Sequence, residues 1–228
     1  NGSNLKKEGA GPTGPLYPLR RTIMAAGDTS LSICSDALIL LGASPISSFT
    51  EGSDSAQACD RLYPDLRDSL LSNYQWSWSV KKVQLNRLST APIDEWKYAY
   101  QMPGDMLSGV LALFTSAGIG ENPVRYGWEV YGDQLYTNFE KVFIDYQGTI
   151  DESKMPNYFV RLLRTSLAAE LAFTITDQIS KSDYFRALAY GSPGESNRGG
   201  LMREAMNIDS RGKPPQIIED YSLIDVRY

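Results

Sequence analysis

The 228-residue chain carries 22 Lys and Arg against 27 Asp and Glu, giving a formal net charge of −5, and has no histidine. Its 42% hydrophobic content is ordinary for a globular protein, enough for one real core with appendages. No apolar run approaches the roughly 18 residues of a membrane span, and without histidine the Ser-His and Cys-His nucleophile systems and His-bearing zinc sites are excluded.

The first residues are polar and rich in Gly and Pro, without the apolar stretch of a signal peptide, so an intracellular origin is the default expectation. Cys34 and Cys59 form no CxxC and argue against a disulfide framework or a zinc site; both fall on apolar helical stripes and read as buried free thiols. The charge is uneven. Residues 1–27 hold four Lys/Arg and one Glu, whereas 28–72 hold two Arg and seven Asp/Glu. An acidic body with a basic leader is a poor general nucleic-acid binder, although it suits a surface that lets DNA pass without holding it.

Residues 1–28 read as an extended leader, with Lys6-Lys7 and Arg20-Arg21 among glycines and prolines and no core-forming period. Met24-Ala25-Ala26-Gly27-Asp28 resembles a natural start, which makes 1–23 either an expression remnant or an upstream extension. Such a segment orders only against something else, which points to packing along a neighbouring subunit.

A first helix is expected from about Ser30 to Leu41, capped by Thr29 or Ser30, with Ile33, Ala37, Leu40 and Leu41 on its apolar face. Gly42 stops it and Pro45 blocks a restart. A second begins after Glu51-Gly52, with Ser53 or Asp54 as cap and a stripe of Ala56, Cys59, Tyr63, Leu66 and Leu70. Pro64 predicts a kink or break there. Asp60, Arg61, Asp65, Arg67 and Asp68 make its polar face, and Trp76 and Trp78 alternate with serine as an extended exit strand.

Residues 79–154 read as a β-rich insert: a strand at Trp96–Tyr100, a buried strand at Val110–Phe114, a hairpin turning at Gly132-Asp133 and a strand at Val142–Tyr146. They make one small sheet rich in Tyr and Trp, either a thin core or a contact surface. A third helix starts near Pro156 and runs to about Thr176, with Phe159, Leu162, Leu163, Ser166, Ala169, Ala172 and Phe173 on its apolar face. A fourth runs from about Lys181, carrying Tyr184, Leu188, Leu201, Ala205 and Ile208 and interrupted at Gly191-Ser192-Pro193-Gly194. The class is α+β: a helical bundle of 29–78 with 155–211, an inserted small antiparallel sheet, and a C-terminal docking tail at 212–228. Trp76, Leu66, Leu70 and Tyr63 are its expected structural core.

Chemistry is hard to find. Gly118-Ile119-Gly120 lacks the last glycine and the strand–helix context of a phosphate loop, and Ser79-Val80-Lys81-Lys82 fits S-x-x-K without its companion motifs. Asp94-Glu95-Trp96 and Trp128-Glu129 put carboxylates beside indoles, the local chemistry of a sugar site, or else simply surface acids beside packing aromatics. No catalytic, cofactor-binding or metal-ligating residue emerges.

Three blocks together carry a resemblance. They are Leu40-Leu41-Gly42-Ala43-Ser44-Pro45-Ile46 with Ala56, Tyr63, Arg67, Leu70, Leu71 and Trp76; then Trp96-Lys97-Tyr98-Ala99-Tyr100-Gln101-Met102-Pro103-Gly104-Asp105; then Asp151-Glu152 through Pro156, Phe159 and Leu167-Ala168-Ala169-Glu170-Leu171-Ala172, closing on Ser222-Leu223-Ile224-Asp225-Val226-Arg227. Over roughly residues 30–228 the chain resembles the tail tubular protein A family, head-to-tail adaptors of short-tailed phages. The resemblance implies a structural virion protein and no enzyme. Twelve copies would form a ring joining the portal protein to the tail nozzle protein, assembled in the host cytoplasm. DNA would pass through the lumen during genome ejection without specific binding, and no membrane or cofactor is involved. The expected interface residues are Arg20 and Arg21 in the leader and Tyr221, Ile224, Asp225 and Arg227 in the tail. The alternatives are a virion-associated glycan hydrolase and a non-viral peptide-binding scaffold.

Overall fold

The computed structural model describes residues 28–90, 92–118 and 122–212. Among them are five α-helices and two three-stranded antiparallel sheets, an α+β architecture.

Helix α1 spans Ser30–Leu41. Thr29 Oγ1 accepts the Ser32 N–H at 3.1 Å while Thr29 N donates to Ser32 Oγ at 2.9 Å, a reciprocal capping box with serine in the place usually held by glutamate. Gly42 closes the helix at φ 79, a left-handed conformation that a side chain would oppose. The inward row is Ile33, Cys34, Ala37, Leu38 and Leu41, whereas Leu40, expected on this face, stands outside it.

Helix α2, Asp54–Ser72, starts on Ser53, whose hydroxyl accepts the Ala56 N–H. Ala56, Cys59, Tyr63, Leu66 and Leu70 are all buried. The expected break at Pro64 does not occur: the helix continues through it. Pro64 and Asp60 both lie on the exposed face, so the carbonyl that loses its N–H partner points away from the core. The extended exit strand is also replaced. Ser77–Ser79 is a single 3-10 turn, and strand β1, Val80–Gln84, begins only after it.

The β-rich segment continues as β2 (Tyr98–Gln101), β3 (Met106–Phe114), β4 (Trp128–Tyr131), β5 (Gln134–Thr137) and β6 (Phe143–Gly148). Instead of one sheet there are two, ordered β1-β6-β3 and β2-β5-β4. The hairpin β4–β5 closes through Gly132 at φ 61, with positive φ at the first central position, as a II′ turn requires. β2 takes the other edge of β5, pairing Tyr98 with Thr137, so β6 turns away to lie between β1 and β3. The strand expected to be buried at Val110–Phe114 is longer and sits at an edge: Leu113 is buried and Leu111 is not. One apolar cluster serves both sheets, with Leu85, Tyr100, Leu113, Leu135, Val142 and Ile144 at its centre.

Helix α3, Asn157–Thr176, is the axis of the helical part, touching α1, α2, α4 (Ile179–Tyr190) and α5 (Gly200–Arg211). Covered on several sides, it buries Val160, Leu167, Ala168 and Leu171 beyond the expected face, while Phe173 near its end is exposed. The single interrupted helix expected after Lys181 is two helices. α4 turns Phe185 and Ala189 inward and leaves Tyr184 and Leu188 outside, the reverse of the expected face. Glu195 organises the connection: it accepts the Ser192 N–H at 2.9 Å and pairs with Arg203 at 3.2 Å.

Candidate functional site

The sequence-selected core residues Trp76, Leu66, Leu70 and Tyr63 belong to one buried cluster. Trp76 is fully buried, and its Nε1–H donates to Leu70 O at 3.0 Å. Its ring meets Phe159 edge-on at 5.1 Å and Tyr74 at 4.8 Å. Leu66 and Tyr63 lie in the same cluster. Tyr63 also has a polar role: its hydroxyl donates to Glu152 Oε1 at 3.1 Å, and Arg67 Nη1 donates to the same oxygen at 3.2 Å. Burial, with Glu152 beside it, pushes the Tyr63 phenol well above its ordinary range. Arg67 Nε further donates to Asp68 at 2.8 Å. These groups border a cavity of about 160 Å³ against Cys59, Asp60 and Pro64.

Two further polar anchors tie distant parts of the chain together. Asp209 on α5 is buried, and it accepts Ser77 N–H at 3.0 Å, Ser77 O–H at 2.7 Å and Tyr158 O–H at 3.1 Å. Gln147 on β6 donates from Nε2 to Leu71 O and to Tyr74 O, joining the first sheet to the end of α2. Neither Asp209 nor Gln147 stood out in the sequence, and Glu152 did so only within the third block of the resemblance, because their partners lie many positions away and no local spacing marks them.

The S-x-x-K pair is not assembled for chemistry. Ser79 donates its hydroxyl to Trp76 O at 3.0 Å inside its own turn. Lys82 points to Asp145 at 3.4 Å and over the Phe114 ring at 3.9 Å. Residues 119–121 of the GxG segment lie outside the described residues.

The acids of these pairs act on Tyr131, while the Trp128 indole donates from Nε1–H to Val124 O at 3.1 Å. Asp94 Oδ1 accepts the Trp96 backbone N–H at 3.1 Å, and Tyr131 donates its hydroxyl to Glu129. The hydrogen bond to Glu129, with Glu95 and Asp94 nearby, pushes the exposed Tyr131 phenol up to about 12. Tyr131 stacks edge-on to Tyr136 at 5.6 Å, and Tyr136, Asp94 and Ile93 line a cavity of about 360 Å³. Among the described residues, no group of three or more His, Cys, Asp or Glu side chains is placed to hold a metal ion, and no helix is long and apolar enough to cross a membrane.

Large apolar side chains also stand outside both cores. On the helices these are Ile39, Leu40, Phe173, Ile179, Tyr184, Leu188 and Ile208, the last expected on an apolar face with Leu201 and Ala205, which are buried; Ile179 and Tyr184 are each 64% exposed. Lys181 Nζ donates to Leu41 O at 3.1 Å, tying the start of α4 to the end of α1. The outer face of α2 presents Asp54, Asp60 and Asp65 to solvent. The expected interface residues Arg20, Arg21, Tyr221, Ile224, Asp225 and Arg227, with the leader and the tail beyond Gly212, lie outside the described residues. No protein-family model matches this chain, and neither does any curated protein.

Proposed function

We propose that the chain is a structural subunit of a head-to-tail adaptor in a short-tailed phage. Copies of it form a ring between portal and tail nozzle, around a channel through which DNA leaves. The resemblance across three sequence blocks motivates this reading. The observation that carries it is the set of apolar side chains left outside the helical core at Ile39, Leu40, Phe173, Ile179, Tyr184 and Leu188. An isolated subunit gains nothing by presenting these to water, whereas a ring buries them in side-to-side contacts that close by rotation. In this reading α1, α2 and the three later helices act as one bundle, the sheets as an appended module, and the terminal segments as docking arms. The acidic outer face of α2 would repel DNA wherever it lines the lumen. Ring formation is checked by native mass measurement and electron microscopy, alone and with portal protein. A twelve-membered ring is expected, and a monomer under both conditions would sink the reading.

A second reading, a glycan hydrolase, draws on the gathering of Asp94, Glu95 and Glu129 beside Tyr131, a carboxylate and aromatic combination of the kind sugar sites use. Reducing-sugar release from host capsule or cell-wall glycan, lost in Glu129→Gln, is its required result.

A further inference from the structure

Strand β1 is an outer strand of its sheet, and its two sides differ. Leu85 N donates to Val142 O, which carries the β1–β6 ladder one residue beyond Gln84. Hydrogen-bonded and non-hydrogen-bonded pairs alternate along an antiparallel ladder. Lys81 and Val83 therefore turn their backbone groups to β6, as Leu85 does, while Val80, Lys82 and Gln84 turn theirs away. The alternation continues past the ladder: Asn86 O accepts from Gln101 N and Leu88 N donates to Ala99 O, both toward β2 on the side away from β6. β2 ends at Gln101, and Met102 N turns to Asp133 O. Among the described residues, no strand pairs with the outer side of β1 between Val80 and Gln84. What remains is a short row of unpaired backbone donors and acceptors beside Val83, which packs on the strand cluster.

The end of α5 is tied close to this row. Asp209 accepts from the Ser77 N–H and O–H, and Gly212 and Val80 each stand three residues beyond that clamp. Residues 213–228 follow Gly212. Ile224-Asp225-Val226-Arg227-Tyr228 alternate apolar and polar, the period of a half-buried strand. The eleven intervening residues, 213–223, reach about 36 Å at roughly 3.3 Å each, against about 17 Å for the five residues of β1. The segment is therefore long enough to lie along β1 in either direction.

We propose that the outer side of β1 is a docking edge for residues 224–228 of the same chain, which add to it as a fourth strand. The outward backbone groups of Val80, Lys82 and Gln84 supply the ladder. Ile224 and Val226 then continue the face of Val83 and Leu85 and enlarge the apolar cluster, while Asp225 falls on the opposite face with the exposed Lys82. The charges match in sign: β1 carries two lysines and no acid, and 213–228 carries Glu219, Asp220 and Asp225 against Lys213 and Arg227. The pairing is independent of the adaptor reading, in which the same tail leaves β1 when it docks elsewhere.

Site-resolved amide hydrogen exchange on the full chain is the test, because β1 contains its own control. Lys81 and Val83 face β6 and should be protected whatever the tail does. Lys82 and Gln84 should exchange at least about tenfold more slowly than unprotected amides, at any protein concentration. The double variant Asp225→Pro, Val226→Pro removes the donor whichever of the two adjacent amides faces β1. It should return Lys82 and Gln84 to the unprotected rate and leave Lys81 and Val83 unchanged. Unprotected exchange at Lys82 and Gln84 in the intact chain overturns the proposal, as does protection that survives the double variant. Protection that grows with protein concentration assigns the edge to a second copy and overturns it too. Should the double variant also disturb Lys81 and Val83, the rates at Lys82 and Gln84 in the intact chain, measured at two protein concentrations, decide the matter.

Discussion

The helical region and the strand region bury their side chains by different means. The helices share one cluster that runs from Ile33 on α1 to Ala205 on α5, with α3 at its axis. The strands share a smaller cluster around Tyr100, Leu113, Leu135 and Ile144, closed between two three-stranded sheets. In the helical region one central helix packs against four others and buries eleven of its twenty residues, its backbone being satisfied within the helix, while Ile39, Ile179 and Tyr184 stand exposed on the flanking helices. In the strand region the edge strands β3 and β4 keep one side open, and Leu111, Val130 and Tyr131 remain exposed. The helical cluster is the larger of the two and is expected to carry more of the stability.

Four measurements put that contrast at risk. The largest effect is expected for Trp76→Ala, which empties the centre of the helical cluster and removes the bond to Leu70 O; equilibrium urea unfolding should show a loss of about 3–5 kcal/mol. A loss near zero would mean that the helical core does not depend on this indole. Leu135→Ala, at the centre of the strand cluster, should cost about 2–4 kcal/mol, with hydrogen exchange rising in β2, β4 and β5 before it rises in α3. Uniform exchange across both regions would erase the distinction between them.

Asp209→Ala should cost about 1–3 kcal/mol, because Ser77 and Tyr158 lose a buried acceptor, and protection should fall first in α5 and in the turn after α2. Glu51→Gln sits at the bottom of the series. Hydrogen bonds from Ser53 and from the Ser47 hydroxyl and backbone hold the Glu51 carboxyl down to about 2, below its ordinary 4.5. A depressed carboxyl contributes stability that is fully present above about 4.5 and is lost as pH falls through about 2, so the wild type's small advantage over Glu51→Gln should shrink across that interval. An advantage that is constant from about pH 6 to about pH 2 would show that the Glu51 charge is not involved.

Much of the helical region was legible because its signals are local. Thr29, Gly42 and Ser53 mark helix ends, and the 3–4 spacing from Ala56 to Leu70 marks a buried face, all within a few residues of the structure they specify. The same local logic left Pro64 between a kink and a break, of which the break does not occur, and it misjudged α4, where Tyr184 and Phe185 are both aromatic and packing against α3 selects Phe185 for the inside. In the strand region the Gly132-Asp133 hairpin was legible from its turn, but the division into two sheets was not, since it depends on β6 choosing β1 and β3 over β5.

By itself the sequence determined the α+β class, both ends of α1, the start of α2, the hairpin and the buried stripe that leads to Trp76, because each rests on chain-local periodicity, capping or turn chemistry. Only the tertiary structure decided that Asp209 clamps Ser77, that Glu152 gathers Tyr63 and Arg67, and that Gln147 fastens a sheet to the end of α2. Those pairings join residues far apart along the chain, and a distant hydrogen bond leaves no spacing or composition by which it can be read in advance.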